Sequence, residues 1–226
     1  MTDVENVLDD FVELENFRRD EPKITKIGMV IVAILNKVAY SPDPRKTLEG
    51  FGFSNQFQIL RQYSTPDVLS VKDKSGGNVF VIIRGTDKHN KTGNRIRDLV
   101  QDYAILKGEK ENVTRKFEIE KLVKRLIKRF GKDKIILSGH SLGSYIGTEI
   151  ANELNLKGIM FNIASSPADT DTRKNDKITH YTTNNPLRGV IDPLSITSSL
   201  RDDYKTKIVS VKKGKGVHDL DNFIKD

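Results

Sequence analysis

No cysteine occurs among the 226 residues, so disulfide bridges and thiolate metal sites are excluded. A metal would have to be held by four scattered histidines and by carboxylates, which show no HExxH-type spacing. No metal and no cofactor is expected. Long apolar runs are also missing. The longest, "GMVIVAIL", falls well short of the roughly 20 residues needed to cross a bilayer. The opening stretch, "MTDVENVLDDFVELENF", is acidic where an export signal would be basic and then apolar. These absences together predict a soluble protein made without an export signal, in a reducing, cytoplasmic setting.

Acidic charge is in the minority: 31 Asp and Glu face 38 Lys and Arg, a net charge of +7. A basic balance invites nucleic acid or an anionic membrane as partner. The excess is spread along the chain, however, without an RNA-recognition, zinc-finger or recognition-helix pattern, and no specific nucleic-acid binding is expected. One segment concentrates it. Arg115 to Lys134 holds nine basic residues against Glu118, Glu120 and Asp133. A solvated helix face accounts for such a run. The sharper alternative is peripheral contact with an anionic membrane surface, which salt would weaken.

What is present is periodicity, and the length suits one domain over 1–226. Val4, Val7, Leu8, Phe11, Val12 and Leu14 fall at helical spacing with carboxylates opposite. They predict an acidic amphipathic helix over Val4–Phe17, inside an N-terminal extension, 1–24. A second helix is predicted over Thr25–Tyr40, ending before "SPDP". The stretches "FQILRQY" and "DVLSVKD", a turn at "KSGGN" and a strand over Val79–Ile83 form a hairpin-like succession. After a polar loop, Ile119, Leu122, Val123, Leu126, Ile127 and Phe130 keep a 3.6 period, predicting a crossover helix over Phe117–Phe130. A strand at Lys134–Ser138, a helix at Leu142–Leu154, strands in "LKGIMFNIA", "KITHYTT" and "TKIVSV" and a short helix in "DLDNFIKD" complete the chain. Such alternation predicts an α/β fold with a mostly parallel sheet and helices on both faces.

Between the strand at 134–138 and the helix at 142–154 stands "GHSLG". Ser141 would sit at the carboxyl end of a central strand, where open α/β sheets place their ligands. Its hydroxyl becomes a usable nucleophile only if the turn is sharp enough to push it clear of the backbone. Gly139 and Gly143 remove the side chains that would collide across such a turn, and Gly143, Gly147 and Ala151 let the helix lie close to the sheet. A serine also needs a base, and a carboxylate to orient that base. Two histidines follow Ser141. His180 falls within a predicted strand and reads as a packed or surface residue, whereas His218 falls between the last strand and the last helix, where the base belongs. His140 is directed away by the turn, and His89 precedes the serine. Among the downstream carboxylates Asp192, stiffened by Pro193, is favoured over Asp202 and Asp203 as the acid. The developing oxyanion would be met by the N–H of Leu142 and by Thr86, after the tight exit "RGT" of an earlier strand.

Taken together, "VFVIIRGT", "DLVQD", "GHSLG", "IDPLS" and "VHDLDNF" resemble the class 3 lipases, the fungal lipase-like branch of the α/β-hydrolases. The resemblance spans roughly Asn36 to Phe223. It implies an α/β-hydrolase fold and a lipase or esterase working through an acyl-enzyme, with Ser141, Asp192 and His218 as triad and Thr86 and Leu142 as oxyanion hole. Leu99 and Ile83 replace a tryptophan and a phenylalanine of the family pattern, and Asn184 and Asn185 stand where some members carry their acid. The segment that forms an apolar lid in such lipases reads here "DKHNKTGNRIR", with Ile96 its single large aliphatic. Little interfacial activation is therefore expected. Short-chain esters, monoacylglycerols or lysophospholipids are expected over bulk triacylglycerol. Two other readings stay open: a non-catalytic binding module on a hydrolase fold, and a thioesterase or peptidase with the same triad.

Overall fold

The computed structural model describes residues 26–85, 113–163, 175–185, 190–191, 205–210 and 220–224. One eight-stranded sheet organises them. Its strands are β1 (Phe57–Ile59), β2 (Val68–Asp73), β3 (Val79–Ile83), β4 (Ile135–His140), β5 (Lys157–Phe161), β6 (Ile178–Asn185), β7 (Val190–Ile191) and β8 (Lys205–Ser210). They lie in the order β1-β2-β3-β4-β5-β6-β7, with β8 also on β6. The first three strands are antiparallel. From β3 through β6, and on to β8, the pairing is parallel.

The central strands are continuous apolar runs because both their faces are covered. All five residues of β3, "VFVII", are buried. Their alternation sorts them: Phe80 and Ile82 join Ile136, Ile159 and Phe161 under α1 (Lys26–Ala39), and Val79, Val81 and Ile83 join Leu137 on the opposite face. There Ile119, Leu122, Val123 and Leu126 of α3 (Val113–Phe130) and Ile146 and Ile150 of α4 (Leu142–Leu154) complete a second core. The predicted architecture, a mostly parallel sheet with helices on both faces, is the one observed.

Three local expectations need correction. The "SPDP" stretch does more than end a helix, because it starts another, α2 (Pro44–Gly50). The Asp43 carboxylate accepts the Lys46 N–H at 3.0 Å, and proline occupies the first helical turn, where its missing N–H costs nothing. "FQILRQY" is strand only over Phe57–Ile59 and then tightens into a 3-10 turn, Arg61–Tyr63. The terminal helix is likewise a 3-10 turn, Leu220–Phe223. The acidic helix predicted over Val4–Phe17 lies outside the described residues.

Tyr181 on β6 stacks on Phe161 of β5, with ring centroids 5.6 Å apart and planes 22° from parallel. Burial pushes its phenol up to about 12. An unfolded tyrosine releases its proton earlier, at about pH 10. Above that pH the folded state binds the extra proton, so stability falls as pH rises until the buried ring also ionises. The urea midpoint of the wild type should therefore fall more steeply above about pH 10 than that of Tyr181→Phe. Parallel curves for the two proteins would refute this.

Candidate active site

Ser141 links β4 to α4 with φ 59° and ψ −127°. Positive φ is rare for a side chain larger than glycine's and costs of order 1–3 kcal/mol, so the surroundings must impose it. They do so from both sides. The Ser141 N–H donates to the Phe161 carbonyl at 3.1 Å, and the Ser141 carbonyl accepts from the N–H groups of Ser144 (3.0 Å) and Tyr145 (3.3 Å). Ser141 also occupies the N-cap of α4, where a serine ordinarily turns its hydroxyl onto an N–H of the first turn. Here the side chain makes no capping bond. The residue is 6% exposed, at the carboxyl end of a strand with parallel partners on each side.

The glycines that bracket the bend have no room for a side chain. A Cβ at Gly143 would strike the Ile83 carbonyl oxygen and stand 2.7 Å from the backbone of Arg84; one at Gly139 would stand 2.7 Å from the Ser144 nitrogen. At Gly147 the neighbours are the methyl and sulfur of Met160, at 3.0 and 3.2 Å. This is the close helix-to-sheet approach expected from the glycine spacing. Ser144, fully buried one turn into α4, fastens it: its hydroxyl lies 2.6 Å from the Gly139 carbonyl and 2.8 Å from that of Phe161, and accepts the Phe161 N–H at 3.0 Å. Having one hydrogen, it donates to one of those carbonyls at a time. Leu142 opens α4, so its N–H belongs to the first turn, whose donors have no partner inside the helix.

The exit of β3 runs past this bend. A Cβ at Gly85 would stand 3.1 Å from Ser141 Cβ and 2.8 Å from the Tyr40 hydroxyl oxygen. Of the predicted site residues, Ser141 and Leu142 are described, at the junction of β4 and α4. Thr86, Asp192 and His218 lie outside the described residues, as does the polar stretch around Ile96. Each of the three has a described neighbour in sequence: Gly85 beside Ser141, Ile191 paired with Asn184 of β6, and Leu220 in the core under α1. His180 is buried within β6, consistent with a packed residue. The His140 ring packs edge-on to Tyr40, with centroids 6.1 Å apart. Sequence reasoning missed Ser144 and Tyr40. Ser144 sits three residues past Ser141 with nothing local to mark it, and Tyr40 reaches the site from just beyond a helix far away in sequence. Among the described residues no cluster of three metal-ligating side chains exists, and no helix is long and apolar enough to cross a membrane.

No protein-family model matches the chain, and no curated protein does. Solved structures do. A Rhizomucor miehei lipase–propeptide complex superposes at TM-score 0.51 and 14% identity, over 86% of this chain and 69% of that one. A lipase from Rhizopus microsporus var. chinensis gives 0.50 and 14%, over 87% and 78%, and a fungal lipase–inhibitor complex gives 0.51 and 15%, over 80% and 78%. The fold is one shared with fungal lipases. At such identities the likeness concerns the path of the backbone.

Proposed function

We propose that the protein is a serine hydrolase of carboxylic esters of the class 3 lipase type, with Ser141 as nucleophile. The observation that carries this is the Ser141 bend, a serine in strained dihedrals at a helix N-cap that it does not cap. In the reaction the Ser141 Oγ attacks the ester carbonyl carbon as His218 takes its proton and Asp192 orients the imidazole. The oxyanion is met by the N–H of Leu142 and by Thr86. Collapse breaks the ester C–O bond, the imidazolium protonates the departing alcohol, and water then repeats the sequence on the acyl-enzyme. Chain continuity supports these assignments. His218 stands two residues before Leu220. The turn that Leu220 opens is held by Phe223 against Phe161, with centroids 4.9 Å apart, and Phe161 supplies the carbonyl that holds Ser141. Thr86 directly follows Gly85.

The substrate class follows from the segment after Thr86. With Ile96 its single large aliphatic, it offers little apolar cover for a long acyl chain. Esters with short acyl chains, monoacylglycerols and lysophospholipids suit such a site. The face of α3 bears on how a lipid would be met. Arg115 donates to the Arg84 carbonyl at 2.6 Å, so α3 begins at the end of the sheet where Ser141 lies. Phe117, in the same first turns, is 59% exposed, and Lys121, Lys124 and Lys128 continue outward along the helix. An exposed aromatic followed by a basic row suits peripheral contact with anionic headgroups. Binding to anionic vesicles should exceed binding to neutral ones, fall with salt, and weaken in Phe117→Ala; equal binding to both would sink this part of the reading.

A fluorophosphonate probe tests the chemistry. Labelling of the wild type, lost in Ser141→Ala, is expected, together with hydrolysis across a panel of p-nitrophenyl esters and lysophospholipids. A folded wild type that takes no label would favour a binding module on the same fold.

A further inference from the structure

We propose that Tyr40 is a positioning residue for acyl transfer, its hydroxyl holding the Gly85 amide so that the exit of β3 stays fixed beside Ser141. This rests on the hydrolase reading above. Tyr40 lies just past the end of α1, and its hydroxyl oxygen accepts the Gly85 N–H at 2.5 Å, across 45 residues of sequence. A Cβ at Gly85 would touch both that oxygen and Ser141 Cβ, so phenol, strand exit and nucleophile meet at one place. The aim of the phenol is fixed by the His140 ring, which meets it edge-on at an interplanar angle of 80°.

The need for such a device follows from the backbone. The β2–β3 ladder ends at the pair Val68–Ile83, and the Arg84 N–H still reaches the Asp67 carbonyl at 3.0 Å. Beyond it, the Gly85 N–H is met by a side chain in place of a strand. Residue 85 must be small, because a Cβ would also strike the His140 carbonyl oxygen. Glycine, however, is the residue with the widest choice of backbone angles. Peptide planes are rigid, so once the Gly85 amide is held, only the two dihedrals of Gly85 separate it from the N–H of Thr86, which the proposed reaction aims at the oxyanion. The phenol thus fixes the peptide plane from which those two dihedrals start, so that they are the only torsions left between the held strand exit and that donor.

Tyr40→Phe keeps the ring and removes only the oxygen. In the full chain, kcat on a p-nitrophenyl ester should fall about 10- to 100-fold with KM little changed. Affinity for an alkyl boronic acid, whose serine adduct mimics the tetrahedral oxyanion, should fall by a similar factor, and the Gly85 amide should exchange its hydrogen faster. A merely structural role would lower thermal stability and leave kcat and boronate affinity of the folded protein unchanged. That result overturns the proposal, as does unaltered Gly85 exchange. Should Tyr40→Phe fold poorly, difluorotyrosine at position 40, assayed at a pH low enough to keep its more acidic phenol protonated, keeps ring and oxygen but weakens the oxygen as acceptor, and should shift kcat and boronate affinity the same way to a smaller degree; no shift overturns the proposal. A wild type as inert as Ser141→Ala overturns the hydrolase reading instead, and Gly85 exchange then still reports whether the phenol holds the strand exit.

Discussion

Ser141→Ala is expected to lower kcat on carboxylic esters by about a millionfold in a protein that still folds, since removing a triad serine alone costs about as much as removing the whole triad. Alanine keeps the Cβ and hence the strain at φ 59°. Stability should therefore change little, and any activity above background would come from the oxyanion donors and binding alone. Ser141→Gly separates chemistry from strain. It is equally inert, but glycine adopts positive φ without penalty, so a gain of about 1 kcal/mol in unfolding free energy is expected. The two variants, read by ester hydrolysis and urea midpoint, make one joint claim: activity and backbone strain are located at the same residue. Ser141→Ala retaining a tenth of wild-type kcat would end the nucleophile assignment.

Gly143→Ala should cost at least about 3 kcal/mol, equivalent to roughly 6–12 °C in Tm for a chain of this size. The added methyl would meet the Ile83 carbonyl oxygen and the Arg84 backbone, neither of which can swing aside as a side chain can. Relief requires lifting α4, and with it Ile146, Ile150 and Ala151, out of the core they share with Leu137 and Ile83. Ser141, the proposed nucleophile, sits at the foot of that helix, so kcat should fall by about 100-fold in whatever fraction remains folded, the scale of loss that follows a displacement of about 1 Å. Gly147→Ala is the informative contrast. Its new methyl meets the flexible end of Met160, and the loss should be under about 1.5 kcal/mol. Thermal melts giving equal losses at both positions would show that the carbonyl contact is not what forces glycine at 143.

How far the sequence could carry this differs from residue to residue, for physical reasons. The elbow and the helix after it were legible because glycine spacing and apolar period are local properties, and α4 has the predicted bounds of Leu142 and Leu154. The strand Val79–Ile83 was legible as an apolar run too short to be a helix. Helix α2 was overlooked although its signals, Asp43 before Pro44, are equally local; two prolines close together read as a break and hid the cap. Tyr40 could not be read at all, because its hydrogen bond to Gly85 joins positions brought together only by the whole sheet. Ser144 shows the same limit at short range, where local spacing says nothing of the three backbone groups of β4 and β5 that surround its hydroxyl. For Asp192 and His218 the sequence offered chain order and flanking elements, and both lie outside the described residues.

The parallel run of strands has a consequence for how such a molecule could diversify. The chain segments 86–112, 164–174, 186–189 and 211–219 all depart from the carboxyl ends of β3, β5, β6 and β8, the end at which Ser141 stands. Changes in those four segments, away from Thr86 and His218, could therefore alter what meets this end of the sheet while the framework of β4, β5 and α4 around Ser141 went untouched.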